Sequence, residues 1–259
     1  MKDILKNIGS YYLETQVVKT KEGYPQVKNG TEQTRTVHTS QWQLRYIQKR
    51  ILKNILSKLS IPDYAYGSVI KRNNILNAKQ HRRNKYFMMI DLEKFFPSIT
   101  HNMVFETFVS FDFSHTTSRF LTKLTTYKGC LPQGLSTSPM IANLVFNKTG
   151  NKLQKFAQEN NLTFTTFLDD LSFSSTNNFE KKMSSIIQIL NDDNYKISLD
   201  KTIYTDTEPV ITGILIKDGW LQLTDTYKWK LLNPINYNYE QREGHKRYFK
   251  QVEDANDDY

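Results

Sequence analysis

The sequence predicts an α+β fold, with short strands that carry acidic residues at their ends and amphipathic helices packed around them. Two observations carry this reading. Residues 163–168 and 171–175 are β-prone runs on either side of the pair Asp169-Asp170, the pattern of a tight antiparallel hairpin. Residues 41–59 and 179–190 place apolar side chains at intervals of three and four, the period of helices buried on one side. At 259 residues, 38% hydrophobic and 13% aromatic, the chain can bury a sizeable core, as one large domain or a domain with a subdomain. Its single cysteine, Cys130, excludes an intrachain disulfide and a cysteine-cluster zinc site, and suits a reducing compartment. No apolar run approaches the ~18 residues that span a bilayer. The opening Met1-Lys-Asp-Ile-Leu-Lys6 lacks the apolar core of a signal peptide, so a cytoplasmic protein without a membrane partner is expected.

The net charge of +9 is unevenly spread. Residues 1–90 carry 17 Lys and Arg against 5 Asp and Glu, a balance of +12, and the remainder carries −3. A basic first third suggests a polyanion partner, with nucleic acid the natural candidate because phosphate contacts supply much of non-specific affinity.

In chain order, residues 1–34 predict a short helix and then a hairpin or loop, with turn chemistry at Lys21-Glu-Gly-Tyr-Pro25 and Lys28-Asn-Gly-Thr31. Arg35-Thr-Val-His38 reads as a short strand. The helix over 41–59 sets Leu44, Ile47, Ile51, Ile55 and Leu59 on one face and Arg45, Lys49, Arg50, Lys53 and Lys58 on the other, and Ile61-Pro62 stops it. A polar, basic stretch over 64–85 holds Lys71-Arg72. Residues 86–90 are a buried strand running into Asp91. Residues 101–128 read as helical. At Leu131-Pro-Gln-Gly-Leu-Ser-Thr-Ser-Pro139 a glycine turn precedes a helix, with Ser138 as N-cap and Pro139 as first helical residue. After the helix over 179–190, strands are expected at 197–202 and 209–216. Residues 220–250 alternate Lys and Arg with aromatics, a composition suited to nucleic acid. The acidic tail, Glu253-Asp-Ala-Asn-Asp-Asp-Tyr259, is expected to fray.

Adjacent Asp169 and Asp170 repel by about 4 kcal/mol at about 4 Å and an effective dielectric of about 20. Aspartate is also a good turn former, so the pair alone is compatible with an ordinary turn or with a divalent-cation site built from hard carboxylate oxygens. Asp91 at a strand end supplies the third carboxylate that the second reading needs.

Taken together, these residues resemble the reverse transcriptases. Ile90-Asp91-Leu-Glu-Lys-Phe-Phe-Pro-Ser-Ile99 is similar to the family's first acidic motif. Leu131-Pro-Gln-Gly134 through Ser138-Pro139 is similar to its second, and Phe167-Leu-Asp-Asp170 to its metal-binding hairpin, with Phe where Tyr is common. Asn77-Ala-Lys-Gln-His81 and Val210-Ile-Thr-Gly213 look like the two signatures of the bacterial retron type, Ile211 replacing a valine. Arg35-Thr-Val37 and Tyr66-Gly-Ser-Val69 fall where the family has finger elements.

The resemblance implies a right-hand polymerase, with fingers and an antiparallel-sheet palm over 1–220 and a short helical thumb with an acidic tail over 221–259. It implies two Mg2+ ions, with Mn2+ able to substitute, held by Asp91, the Leu92 carbonyl, Asp169 and Asp170. Arg35 would grip the triphosphate of the incoming dNTP and Phe96 would exclude a ribose 2′-hydroxyl. Gln133 and Gly134 would contact the nucleotide, and Lys201 would protonate pyrophosphate. RNA contacts would come from Lys71, Arg72, Asn77, His81, Thr212, Gly213, Trp229 and Arg247. The implied partners are a cognate structured noncoding RNA, the RNA–DNA hybrid made from it by priming at an RNA 2′-hydroxyl, and a separate effector protein in antiphage defence. The alternatives are another bacterial defence-type or group II-like reverse transcriptase, and an RNA-binding scaffold without synthesis.

Overall fold

The computed structural model describes residues 2–21, 24–28, 30–233 and 237–257, and its contacts divide the chain into two units, 1–61 with 94–147 and 62–93 with 148–259. The expected turns at 21–25 and 28–31 include residues 22, 23 and 29, and the acidic tail ends at 258 and 259. These lie outside the described residues.

In the first unit, Tyr12–Val18 pairs antiparallel with Thr34–Ser40, from Tyr12 opposite Ser40 to Val18 opposite Thr34. The helix Trp42–Asn54 follows and turns Leu44, Gln48 and Ile51 inward. It ends five residues before the periodicity does, the last apolar positions passing into a 3-10 turn at Leu56–Lys58. Gln48 is fully buried and satisfied. It accepts from Ser40 Oγ at 2.8 Å and donates to the Leu124 carbonyl at 2.9 Å and the Tyr12 hydroxyl at 3.3 Å. A buried amide with all its partners ties strand, helix and the helix His115–Thr125 together, because leaving any one unmade would cost about 1–3 kcal/mol. The stretch expected to be helical over 101–128 is two helices, His101–Ser110 and His115–Thr125, with Thr100 and Ser114 accepting from the Met103 and Thr117 amides.

The second unit is built on a four-stranded antiparallel sheet, ordered Ile203–Thr205, Tyr86–Asp91, Asp170–Ser175, Thr163–Phe167. Its inner strands are apolar enough to be covered, with Met88, Ile90, Leu171 and Phe173 at 2% exposure or less. The expected strand over 197–202 is instead a bridge of Ile197 to Leu92 and a 3-10 turn at Leu199–Lys201. The run 209–216 is a hairpin, not one strand. Val210–Ile211 and Ile214–Lys217 flank Thr212 and Gly213, both at positive φ, as a two-residue type I′ loop demands.

A third strand, Trp220–Leu223, and the helices Asp225–Leu232 and Tyr239–Asp254 complete this unit. Ile211, Ile214, Leu221, Leu223 and Val252 bury against Ile75, Ala78 and Phe87. The tail does not fray up to Asp257. Asn256 clips it down, accepting from the Leu221 amide at 2.9 Å and donating to its carbonyl at 3.0 Å. The helix Ser138–Glu159 runs from the first unit into the second in sequence. Its Ser138 lies in the first turn and donates to the Pro132 carbonyl at 2.6 Å, closing the preceding loop rather than capping. Among the described residues no helix is long and apolar enough to cross a membrane.

Candidate active site

Three aspartates and a lysine gather at one edge of the four-stranded sheet. Asp91, the last residue of its strand, stands directly opposite Asp170 in the register, and Phe167 pairs Asp170 across the hairpin. The loop is therefore Leu168-Asp169 rather than Asp169-Asp170, which places Asp170 in the ladder and Asp169 at the tip. Leu168 takes φ of 61°, a left-handed conformation that costs a leucine about 1–2 kcal/mol. The tip is held from both sides. The Asp169 carbonyl accepts from the Leu92 amide at 2.9 Å. Behind it, residues 64–66 run beside the strand Thr163–Phe167, with Thr166 donating to the Tyr64 carbonyl and accepting from the Tyr66 amide. Gly67 then closes against the tip. A Cβ there would lie 2.8 Å from the Leu168 nitrogen and 2.9 Å from the Phe167 carbonyl carbon, which leaves room only for glycine.

Asp91 is held by side-chain and backbone partners. Ser198 Oγ donates to its Oδ2 at 2.9 Å and the Ser198 amide to its carbonyl at 2.9 Å. The Lys201 ammonium spans both carboxylate oxygens at 3.0 and 3.1 Å. The carboxyl of Asp170 is pushed up to about 7 by burial and by the negative charges of Asp169 and Asp91, with Lys201 pulling the other way. Asp170 is exposed as a residue, so water screens part of the burial effect, and the two like charges are its durable cause. Among the described residues no three Asp, Glu, His or Cys side chains converge closely enough to hold a metal as they stand. The donor set nonetheless suits a hard divalent cation. It is all carboxylate, it repels itself, and the lysine beside it, Lys201, is half exposed and displaceable.

The other expected site residues fall in two places. Arg35, Phe96, Gln133 and Gly134 belong to the first unit. Arg35 is exposed on the strand Thr34–Ser40. The same strand holds the glycine loop, since the Gln133 carbonyl accepts from the His38 amide at 2.7 Å. Gly134, at φ of 108°, sits so close that a Cβ would be 2.7 Å from the His38 carbonyl oxygen. Phe96 is 9% exposed and meets Phe95 edge-on.

Of the expected RNA contacts, Lys71, Trp229 and Arg247 are exposed. Asn77 and His81 are fully buried, which corrects their assignment as surfaces for RNA. His81 bridges Ser174 and Thr165 through its two ring nitrogens at 2.6 and 2.8 Å, and burial lowers its pKa to about 3, so it is a neutral strut of the sheet. Asn77 donates to Thr212 Oγ1 at 3.3 Å, and Asn74 donates to the Thr212 carbonyl at 3.0 Å. The two retron-like signatures are thus joined to each other. Arg72 is committed to the carbonyls of Pro62 and Ala65 and to Asp63. Sequence reasoning missed Ser198, Gly67 and Asn74 as supports. Gly67 lay within the noted Tyr66-Gly-Ser-Val69, but nothing local tied it to the acidic hairpin.

The comparisons with known proteins supply the family. The family "Reverse transcriptase (RNA-dependent DNA polymerase)" matches residues 21–216. The chain belongs to the reverse transcriptase family, whose members use divalent metal ions. It is 33% identical over 198 residues to the retron Ec86 reverse transcriptase of Escherichia coli, covering 74% of this chain and 62% of that protein. To the retron Se72 reverse transcriptase of Salmonella heidelberg it is 28% identical over 222 residues, covering 82% and 58%. The chain therefore spans about three fifths of the length of these relatives. Solved telomerase structures share the fold. That from Candida albicans has a TM-score of 0.51 at 10% identity, over 71% of this chain and 37% of its own. That from Candida tropicalis has 0.51 at 11%, over 81% and 43%.

Gly67→Ala is expected to displace the hairpin tip. Thermal unfolding should show a loss of about 1–3 kcal/mol, and Mn2+ binding followed by electron paramagnetic resonance should weaken; unchanged binding would separate Gly67 from the acids. The raised Asp170 also sets a pH dependence. Unfolded, it ionises near pH 4, but folded it keeps its proton to about 7, so its stabilisation is full below about pH 4 and is lost as pH rises through about 7. In EDTA, the melting temperature of Asp170→Asn should match wild type near pH 4, exceed it increasingly up to pH 7, and hold a constant gap above.

Proposed function

We propose that this chain is the RNA-directed DNA polymerase of a retron, copying its cognate structured noncoding RNA from a primer 2′-hydroxyl of that RNA into RNA-linked single-stranded DNA. The observation that carries the proposal is the pairing of Asp91 with Asp170 across the sheet, with Asp169 at the adjacent tip, in a chain of this family. Asp91, Asp169, Asp170 and the Leu92 carbonyl would hold two Mg2+ ions, or Mn2+ in their place. Bound there, the ions supply charge neutralisation at the α-phosphate and a lowered pKa for the attacking hydroxyl.

The chain's own residues do the rest. Ser198 fixes the Asp91 carboxylate by its hydroxyl and the Asp91 backbone by its amide, so that side chain need not be reoriented at each turnover. Lys201, released from Asp91, is the candidate proton donor to pyrophosphate. Arg35 offers a fixed guanidinium fork to the triphosphate. Gln133 and Gly134 offer a loop pinned to the strand that carries Arg35, so one rigid element positions both. Phe96 stands as the steric gate against ribonucleotides. Residues 221–259 are assigned as the thumb, with Trp229 and Arg247 exposed for RNA, whose stems are read by shape and 2′-hydroxyls. A separate effector protein, antiphage defence and a cytoplasmic setting complete this reading.

Purified chain with the structured RNA encoded beside its gene, Mg2+ and labelled dNTPs should yield DNA that stays attached to RNA after protease treatment. Asp169→Ala with Asp170→Ala should lower incorporation by at least about a thousandfold, on the scale of lost transition-state charge stabilisation; equal, negligible incorporation by both proteins would leave the scaffold reading instead. Phe96→Ala should raise ribonucleotide incorporation relative to dNTPs by about tenfold or more, the scale of a lost steric discrimination. An unchanged ratio in single-nucleotide extension removes Phe96 from the gate.

A further inference from the structure

The helix Trp42–Asn54 buries one side through Leu44, Gln48 and Ile51 and leaves the opposite side open with an unusual content. Trp42 is 74% exposed and Tyr46 60%, one turn apart on the same stripe. Lys49, Arg50 and Lys53 continue that stripe and are exposed. Between Gln41 and Lys58 there is no Asp or Glu, so the stripe carries no charge of opposite sign on its own helix. The Arg50 guanidinium lies 5.8 Å from the Tyr46 ring centroid, bringing cation and ring into one platform. Exposing a tryptophan and a tyrosine to water forgoes the large gain that burying such rings brings, and neither ring is needed for the inner face. Arg45 is otherwise engaged, donating to the Ser40 carbonyl at 2.7 Å.

We propose that Trp42, Tyr46, Lys49, Arg50 and Lys53 form a binding face for single-stranded nucleic acid, with bases stacked on the two rings and phosphates held by the three cations. Two features favour a single strand over other occupants. The rings stand about 6 Å apart along the helix axis, a spacing open to successive splayed bases, whereas the base faces of a duplex are covered by their neighbours. The charge is complementary to a phosphate chain, and the face lies in the strongly basic first third of the sequence. The inference goes beyond the polymerase reading, because binding here requires neither the acidic centre nor synthesis.

The test uses the full chain in EDTA without dNTPs, so that failure of catalysis and failure of this face are read separately. Fluorescence anisotropy with a 5′-fluorescein uridine 20-mer, repeated over a salt series, measures affinity and slope. Trp42→Ala and Tyr46→Ala should each weaken binding by about tenfold. Lys49→Gln and Arg50→Gln should each reduce the salt slope by about 0.7. All four residues are exposed, and circular dichroism melts verify that the variants fold. Unchanged affinity in both aromatic variants overturns the proposal. So does an equal loss for a blunt, fully paired RNA hairpin, which would make the face a duplex site. Quenching of tryptophan emission by anionic phosphatidylglycerol vesicles, abolished in Trp42→Ala while the 20-mer binds that variant normally, would make it a lipid surface and equally overturn it.

Discussion

Mutual repulsion among Asp91, Asp169 and Asp170 is the constraint on which the second unit is organised. Three carboxylates at one sheet edge would spread apart if the backbone allowed it, and the backbone does not. Asp91 and Asp170 are fixed opposite each other by the ladder. The tip bearing Asp169 is fixed by the Leu92 amide in front and Gly67 behind. The sheet in turn is stiffened by His81, whose neutrality lets both ring nitrogens join strand hydroxyls without burying a charge. The acids are held together by neutral parts, and Lys201 and Ser198 compensate Asp91.

The first unit solves a different problem, that of presenting groups from a small two-stranded sheet. Its strand Thr34–Ser40 carries Arg35 outward and grips the Gln133-Gly134 loop, while Gln48 braces the end of that strand from beneath. A glycine at positive φ, packed onto a carbonyl, is a close-approach device rather than a hinge.

Much of this was legible in the residues. A helix within 41–59, realised as Trp42–Asn54, the strand into Asp91 and the acidic hairpin all follow from local periodicity, and the order of the motifs led to the family. What was not legible depended on contacts distant in sequence. Turn propensity favours Asp169-Asp170 as the loop, yet Leu168 takes the first loop position because Gly67 and the Leu92 amide hold the tip. The run 197–202 has strand-like residues, yet it coils into a 3-10 turn that brings Lys201 and Ser198 onto Asp91. Asn77 and His81 look like surface polar residues in a basic stretch; only the structure places them inside, against Thr212 and the sheet. The tail has a disordered composition, yet as far as Asp257 it is tied down by Asn256, by Arg82 on the Ala255 carbonyl and by Ala255 against the core.

The left-handed leucine at the hairpin tip also bears on the order of folding. A two-residue loop closes quickly when its residues favour positive φ, and Leu168 does not. Its strain is offset only once residues 64–67, far away in sequence, have docked beside Thr166. Contacts this distant in sequence predict that the centre of the acidic edge assembles late, after the sheet that supports it, rather than as a nucleus. Side-chain truncations near the tip would accordingly change the unfolding rate far more than the folding rate, and a chain emerging during synthesis would hold its self-repelling acids apart until the rest of the unit was ready to restrain them.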